Sequence, residues 1–229
     1  MLFSAIGVLA GNITQKDDKL FISIQDKEYP LFYSKYDSKK INQSLTSNSS
    51  TQQRISVYPK ISHSNKKDKV HTIKFRLLKF EPEISNTVTK GILQTFEPNE
   101  FKIFGLWQFL QQCQTPVISV YRNFDQYRFK ELEKLEPKQQ TKRISPSHLP
   151  VMWENPPVQP VKLNSKQQHP YFVQVKAKFN PTTDIFEFDS LLSEPTKECP
   201  EYFKPNYKKT KSKEESKTNH EERSVSTAA

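Results

Sequence analysis

Several short apolar runs in this chain carry lysines, arginines and aromatic rings on their alternate positions. Phe21 stands with Ser23 and Gln25 on the polar side of one run, Tyr33 and Tyr58 fall in neighbouring runs, and Lys60, Lys74, Arg76 and Lys79 supply charge around them. Farther on, Lys176 and Lys178 alternate with Val175, Ala177 and Phe179 as Lys74 and Arg76 alternate with Ile73, Phe75 and Leu77. Cations of this kind attract phosphates, and an exposed aromatic face stacks a nucleobase for roughly 1–3 kcal/mol. These nine residues are the candidates for contact with single-stranded DNA or RNA. Their attraction would depend on salt and would be largely blind to base identity. Core packing competes for the same aromatics, because most of the 16 Phe, 9 Tyr and 2 Trp must be buried.

Other chemistry is harder to assemble. Gly7, Gly11, Gly91 and Gly105 never approach a phosphate-cradling spacing, which argues against nucleotide-binding enzymes of the Gly-rich-loop types. No nucleophile elbow surrounds a serine, and Cys113, in Gln111–Gln114, has no local partner that would activate its thiol, so it reads as a small buried hydrophobe. Asp184, Glu187 and Asp189 could imitate an acid–base pair, but they alternate with Phe186 and Phe188 as a solvated strand face does. Cys113 and Cys199 stand apart, and His63 and His71 flank a lysine-rich stretch without ligand spacing, so neither a metal nor another cofactor is expected. The chain reads as a binding protein rather than an enzyme.

The net charge of +10 is unevenly placed. Residues 1–120 hold 16 Lys and Arg against 10 Asp and Glu, residues 121–203 hold 12 against 11, and residues 204–229 hold 7 against 4. A basic excess favours polyanionic partners and is silent about fold. The apolar start, Met1 to Ala10, has no basic lead-in and breaks into polar residues too soon to span a bilayer, so it reads as a first strand. No membrane association is expected, and two isolated cysteines suit a reducing cytoplasm.

The elements that must carry these residues are strands. Leu20, Ile22 and Ile24 alternate with polar neighbours behind a polar turn, giving a first hairpin. Residues 28–35 make a third strand, 54–59 a short one whose Pro59 suits a strand end or sheet edge, and 70–80 a long fifth with Ile73, Phe75 and Leu77 inward. Residues 38–53 are polar and predict a flexible loop. The plan then recurs: Gly91-Ile92-Leu93 echoes Gly7-Val8-Leu9, and Pro116 to Asp125 echoes Pro30 to Asp37. In this alignment 87–96 and 100–104 form the hairpin, 115–122 answers 30–35, Leu149 to Trp153 answers Val57 to Pro59, 171–179 answers 70–80, and 185–191 closes the sheet. Asn123 or Asp125 caps a helix reaching Leu135, and 138–147 reads as a charged linker.

The fold class expected is therefore mainly β: two tandem five-stranded OB-like β-barrel modules, one short helix in the second, and a disordered C-terminal tail. The modules run over 1–80 and 81–203, and the tail over 204–229. The function expected is non-enzymatic binding of single-stranded DNA or RNA. The alternative is a protein-interaction or assembly module, with the helix near 123–135, an open sheet edge, or a patch around Trp107 and Trp153 as its docking surface.

Overall fold

A computed structural model describes residues 1–17, 19–33, 53–63, 71–80, 95–111, 113, 115–123, 125–163, 165 and 168–202. The expected loop 38–53 (save Gln53), the Gly91 echo, most of the expected strand 87–96 and the tail lie outside the described residues. So does the expected boundary after residue 80.

The chain is mainly β, and its first strand does the most work. β1 (Ser4–Lys16) pairs along its length with three neighbours in turn. Ser4 to Gly7 run antiparallel to β6 (Glu100–Phe109), Gly7 to Gly11 to β4 (Gln53–His63), and Asn12 to Lys16 to β2 (Lys19–Ile24). β2 pairs with β3 (Lys27–Phe32), β3 lies parallel to β5 (His71–Phe80), and β5 pairs back onto β4. The order β1-β2-β3-β5-β4-β1 closes a five-stranded barrel. Leu9, Ile22, Leu31, Ile55, Val57 and Phe75 are buried, on the period-two positions their alternation predicts.

A second circuit starts at β6. It pairs with β7 (Val117–Val120), β7 with β8 (Ser147–Met152), β8 runs parallel to β11 (Ile185–Thr196), β11 pairs with β10 (Phe172–Asn180), and β10 returns to β6. A two-residue β9 (Val161–Lys162) adds parallel pairing to the end of β6. The strands expected from sequence exist here, but each sits one place earlier in the circuit than the expected alignment put it. Glu100–Phe109 is the first strand of the circuit and not the second arm of a hairpin, Val117–Val120 is second, Ser147–Met152 third, Phe172–Asn180 fourth and Ile185–Thr196 fifth. Pro59 fits the sheet-edge half of its expectation and not the strand-end half. It lies mid-strand in β4, where β1 has already turned away after Val57 and one flank asks for no donor.

Few glycines serve the turns. Asp17, Gln25 and Asp184, all at left-handed φ near 50–60°, take that role in the β1–β2, β2–β3 and β10–β11 connections.

The strands belong to one compact unit, Met1–Val120 with Ser147–Pro200. The other unit, Tyr121–Pro146 with Glu201–Ala229, contains α1 (Gln126–Glu133) and α2 (Pro137–Ile144). Asp125 caps α1 by accepting from the Arg128 backbone N–H at 2.7 Å, as the sequence predicts. Residues 138–147, expected as a linker, instead form most of α2: Pro137 starts it with the fixed φ a first helical turn needs, and the Gln140 amide donates to the Leu135 carbonyl at 2.8 Å.

Within the strand unit, Phe101 joins the two circuits. Its ring centroid lies 5.0 Å from that of Phe186, 6.3 Å from Phe75 and 6.5 Å from Phe179, and Tyr29 lies 5.6 Å from Phe75 and 5.5 Å from Phe179. Phe101 is the register partner of Gly7, whose missing side chain leaves room for the ring. A Cβ at Gly7 would overlap it. Gly7→Ala is therefore expected to cost about 1–3 kcal/mol by overpacking, and Phe101→Ala about 3–5 kcal/mol by opening a cavity. In urea denaturation the double variant Gly7→Ala/Phe101→Ala should cost at least about 1 kcal/mol less than the sum. Additive losses would remove Phe101 from that role.

Candidate nucleic-acid interface

The outer surface of the closed barrel gathers most of the predicted residues because direct partners in a ladder point to the same face. Phe32 on β3 is opposite Arg76 on β5, and Arg76 is opposite Tyr58 on β4, so an aromatic, a guanidinium and a second aromatic form one row across three strands. One step along β5, Lys74 is directly opposite Lys60. Phe21 continues the surface on β2, opposite Pro30 of β3, with the Lys16 ammonium 6.0 Å from its ring centre. Lys79 lies farther along β5, exposed and opposite Ser56, beyond a bulge between Ser56 and Val57.

Among the described residues, Lys60, Lys74 and Arg76 have no carboxylate partner, whereas Lys16 is held by Glu28 at 2.7 Å. The Lys74 ammonium rests 5.6 Å from the centre of the Phe32 ring. Two like charges directly opposed on a ladder repel, which is destabilising unless an anion lies between them. Phe32 is 50% exposed, unusual for an aromatic on a barrel strand. The sequence reading missed it. Inward Tyr29 and Leu31 imply an outward Phe32, but Tyr33 was taken as the strand's exposed ring, and Tyr33 lies just past the end of β3.

The second circuit differs. Lys176 reaches Glu100 at 3.1 Å and Asp189 at 3.6 Å, and Lys178 reaches Glu97 at 3.0 Å. The hydrogen bonds to Glu100 and Glu97 hold these ammonium groups above their usual range, and Lys178 holds the Glu97 carboxyl below its own. The structure thus separates Lys176 and Lys178 from Lys60, Lys74 and Arg76 in chemistry as well as in place. Trp107, proposed from sequence for an exposed apolar patch, is buried with its indole N–H donating to the Val158 carbonyl at 3.1 Å. Trp153 is partly exposed and stacks flat on Phe188, with centroids 4.3 Å apart.

Three pairs along the ladder from Lys60 and Lys74, His63 and His71 face each other at the ends of β4 and β5. His63 Nε2–H donates to the His148 carbonyl at 2.9 Å, which leaves Nδ1 as the acceptor facing the Cys113 thiol at 3.2 Å. His71 Nε2–H donates to the Asp184 carbonyl at 2.8 Å, and Ser119 Oγ and His148 Nδ1 are 2.8 Å apart. Cys113 is buried and burial pushes its thiol up, the opposite of an activated nucleophile. Among the described residues no group of three or more His, Cys, Asp or Glu is arranged to hold a metal. None of the described helices is long and apolar enough to cross a membrane.

No family model, curated protein or solved structure matches this chain.

Burial lowers His63 and drives His148 from 6.5 to about 4, with the neighbouring His63 charge contributing. Both stay neutral in the folded chain at pH values where the unfolded chain takes up protons. The contribution of His148 to stability is complete above about pH 6.5 and is lost as pH falls toward 4, and that of His63 declines in the same direction. Between pH 7 and 5.5 the titration of His148 alone should lower the stability by about 1 kcal/mol, or about 3 °C in Tm, with His63 acting in the same direction. His148→Gln should flatten that part of the profile in thermal melts.

Proposed function

We propose that the chain is a non-enzymatic single-stranded nucleic-acid-binding protein built from two OB-like barrels, and that the first barrel carries the binding face. The order β1-β2-β3-β5-β4-β1, with β3 parallel to β5, is the connectivity that a five-stranded Greek-key barrel of OB type requires. Support for a tandem comes from the second circuit, which follows the same order and directions: β6-β7-β8-β11-β10-β6, with β8 parallel to β11. Its correspondences extend to single residues. Gly11 faces the Ser23 carbonyl as Gly105 faces that of Ser119, Phe75 opposes Pro59 as Phe186 opposes Phe179, and the bulge between Ser56 and Val57 recurs between Lys176 and Ala177. A bulge repeated at one ladder position is a designed feature of a fold more than an accident of it.

The observation that carries the binding reading is the opposed pair Lys60 and Lys74 beside Arg76, without carboxylates among the described residues and flanked by exposed Phe32 and by Tyr58. Phosphates would relieve the repulsion, and bases would stack on the rings. The correspondence also explains why the second circuit is excluded. Where the first barrel has Phe32, Tyr58, Lys60 and Arg76, the second has Met152, Lys178, Asn180 and Glu187; the Asn180 amide donates to Glu187 at 2.7 Å and Lys178 is held by Glu97. That face is neutralised by its own side chains.

Fluorescence anisotropy with a labelled 12-nucleotide strand tests the reading. Three phosphate contacts give a slope of about −2 for log K against log salt, and Lys74→Ala/Arg76→Ala should bring it to about −0.7. Phe32→Ala should weaken binding by about 1–3 kcal/mol, whereas Lys178→Ala should leave it nearly unchanged. Absence of binding at about 50 mM salt, where the electrostatic contribution is strong, defeats the proposal.

A further inference from the structure

The strand unit holds a concavity beside the second circuit, formed by residues other than those of the basic row. A cleft of about 390 Å³ is lined by Gln159, Val161, Gln168, His169, Tyr171 and Lys197. It lies within the size range of small-ligand sites, roughly 300–1,000 Å³. Its walls are anchored to strands. Tyr171 directly precedes β10, and its carbonyl accepts the Trp107 backbone N–H at 2.9 Å. Val161 is fixed by the parallel pairing of β9 with Gln108 of β6. Lys197 directly follows β11, where the Glu198 backbone N–H donates to the Thr196 hydroxyl at 3.1 Å. The Trp107 indole, bonded to the Val158 carbonyl, holds the stretch leading to Gln159.

The lining combines an ammonium, an imidazole, two carboxamides and a phenol ring, with no carboxylate. Lys197 has no ion pair among the described residues, and its ammonium lies 5.8 Å from the centre of the Tyr171 ring. A positive charge held without a counter-ion at the wall of a cleft selects an anion. The adjoining ring, the Val161 wall and two side-chain amides offer a flat surface and paired donors and acceptors to a planar heterocycle.

We propose that this cleft is a second binding site, one that takes a single nucleotide, with its phosphate on Lys197 and His169 and its base against Tyr171, Val161 and the amides of Gln159 and Gln168. The choice of a nucleotide over other planar organic phosphates rests on the nucleic-acid reading of the first barrel. The nucleotide is either free or the phosphorylated end of a strand lying on that barrel.

Titration of the full chain followed by calorimetry tests this directly, using adenosine monophosphate, adenosine and inorganic phosphate as probes. The monophosphate is expected to bind with a Kd of about 0.1–1 mM, at least about tenfold tighter than adenosine or phosphate alone. Lys197→Ala should weaken it about tenfold and His169→Ala severalfold, while Lys74→Ala/Arg76→Ala leaves it unchanged. A 5′-phosphorylated strand binding more tightly than its 5′-hydroxyl counterpart, with the difference lost in Lys197→Ala, assigns the site to strand ends; equal binding assigns it to free nucleotide. No saturable binding of the monophosphate, or binding indifferent to Lys197, overturns the site. If long strands still bind in a salt-dependent way, that result leaves the first barrel's reading intact. Binding of the monophosphate without binding of strands would do the reverse.

Discussion

The contact on which the strand unit turns is the antiparallel ladder between β1 and β6, with Phe101 lying across Gly7. A barrel strand usually has two neighbours, and β1 already has β2 and β4. Only its thirteen-residue length lets it offer its first residues to β6 as well. That leaves the two circuits sharing a ladder, and the ring that crosses it must lie close to backbone. Glycine at position 7 permits the approach, the arrangement by which an aromatic neighbour covers a strand glycine. Around Phe101 the rings of Phe75, Phe179, Phe186 and Tyr29 complete a joint with contributions from both circuits. The Tyr29 hydroxyl ties it further, donating to Asp184 at 2.6 Å, and burial with that hydrogen bond keeps the phenol firmly protonated. Asp184 also takes Lys27 at 3.4 Å.

A joint of this kind divides the cations into two populations. Where the circuits share a ladder or a turn, basic residues meet acidic ones: Lys27 with Asp184, Lys176 with Glu100 and Asp189, Lys178 with Glu97. On the outer side of β3, β5 and β4, Glu28 at the start of β3 takes Lys16, while Lys60, Lys74 and Arg76 have no carboxylate partner among the described residues. Among the described residues, topology thus leaves these three cations in one narrow row. Charge that is free of internal partners is the charge that can displace condensed counter-ions from a polyanion, so position in the fold matters more than the overall total of +10.

Much of this architecture was legible in sequence, because a strand half-buried in a barrel has a two-residue period that composition alone displays. Leu20, Ile22 and Ile24 on β2, Ile73, Phe75 and Leu77 on β5, and Val173, Val175, Ala177 and Phe179 on β10 all face inward as their alternation says. The outward placement of Phe21, Tyr58, Lys60, Lys74 and Arg76 follows from the same rule. The place of each strand in its circuit did not follow. Two helices interrupt β7 and β8, and an excursion carrying β9 separates β8 from β10, so no constant spacing relates the circuits; the echo of Pro30 at Pro116 aligned a third strand with a second. The partners of Lys176 and Lys178 were hidden for a related reason. Glu97 and Glu100 approach them only through the β6–β10 ladder, and a local reading sees two basic residues on one face without the acids that the neighbouring strand brings.

Closure itself limits how either circuit can recognise another molecule. β4 beyond Val57 is paired to β5 alone, but a strand paired on both sides has no free N–H or C=O row that an incoming peptide could extend. Recognition there is left to side chains projecting outward. Two to four such side chains per strand, on strands spaced about 4.8 Å apart, span two or three nucleotides across β2 to β4. A surface that small, with three cations unpaired among the described residues and one or two stacking rings, supplies modest affinity and little base discrimination. Under the proposed nucleic-acid reading, physical sense therefore favours a long flexible strand over a short defined one, because many overlapping positions along a polyanion raise the chance of occupancy without asking the barrel for any further contact.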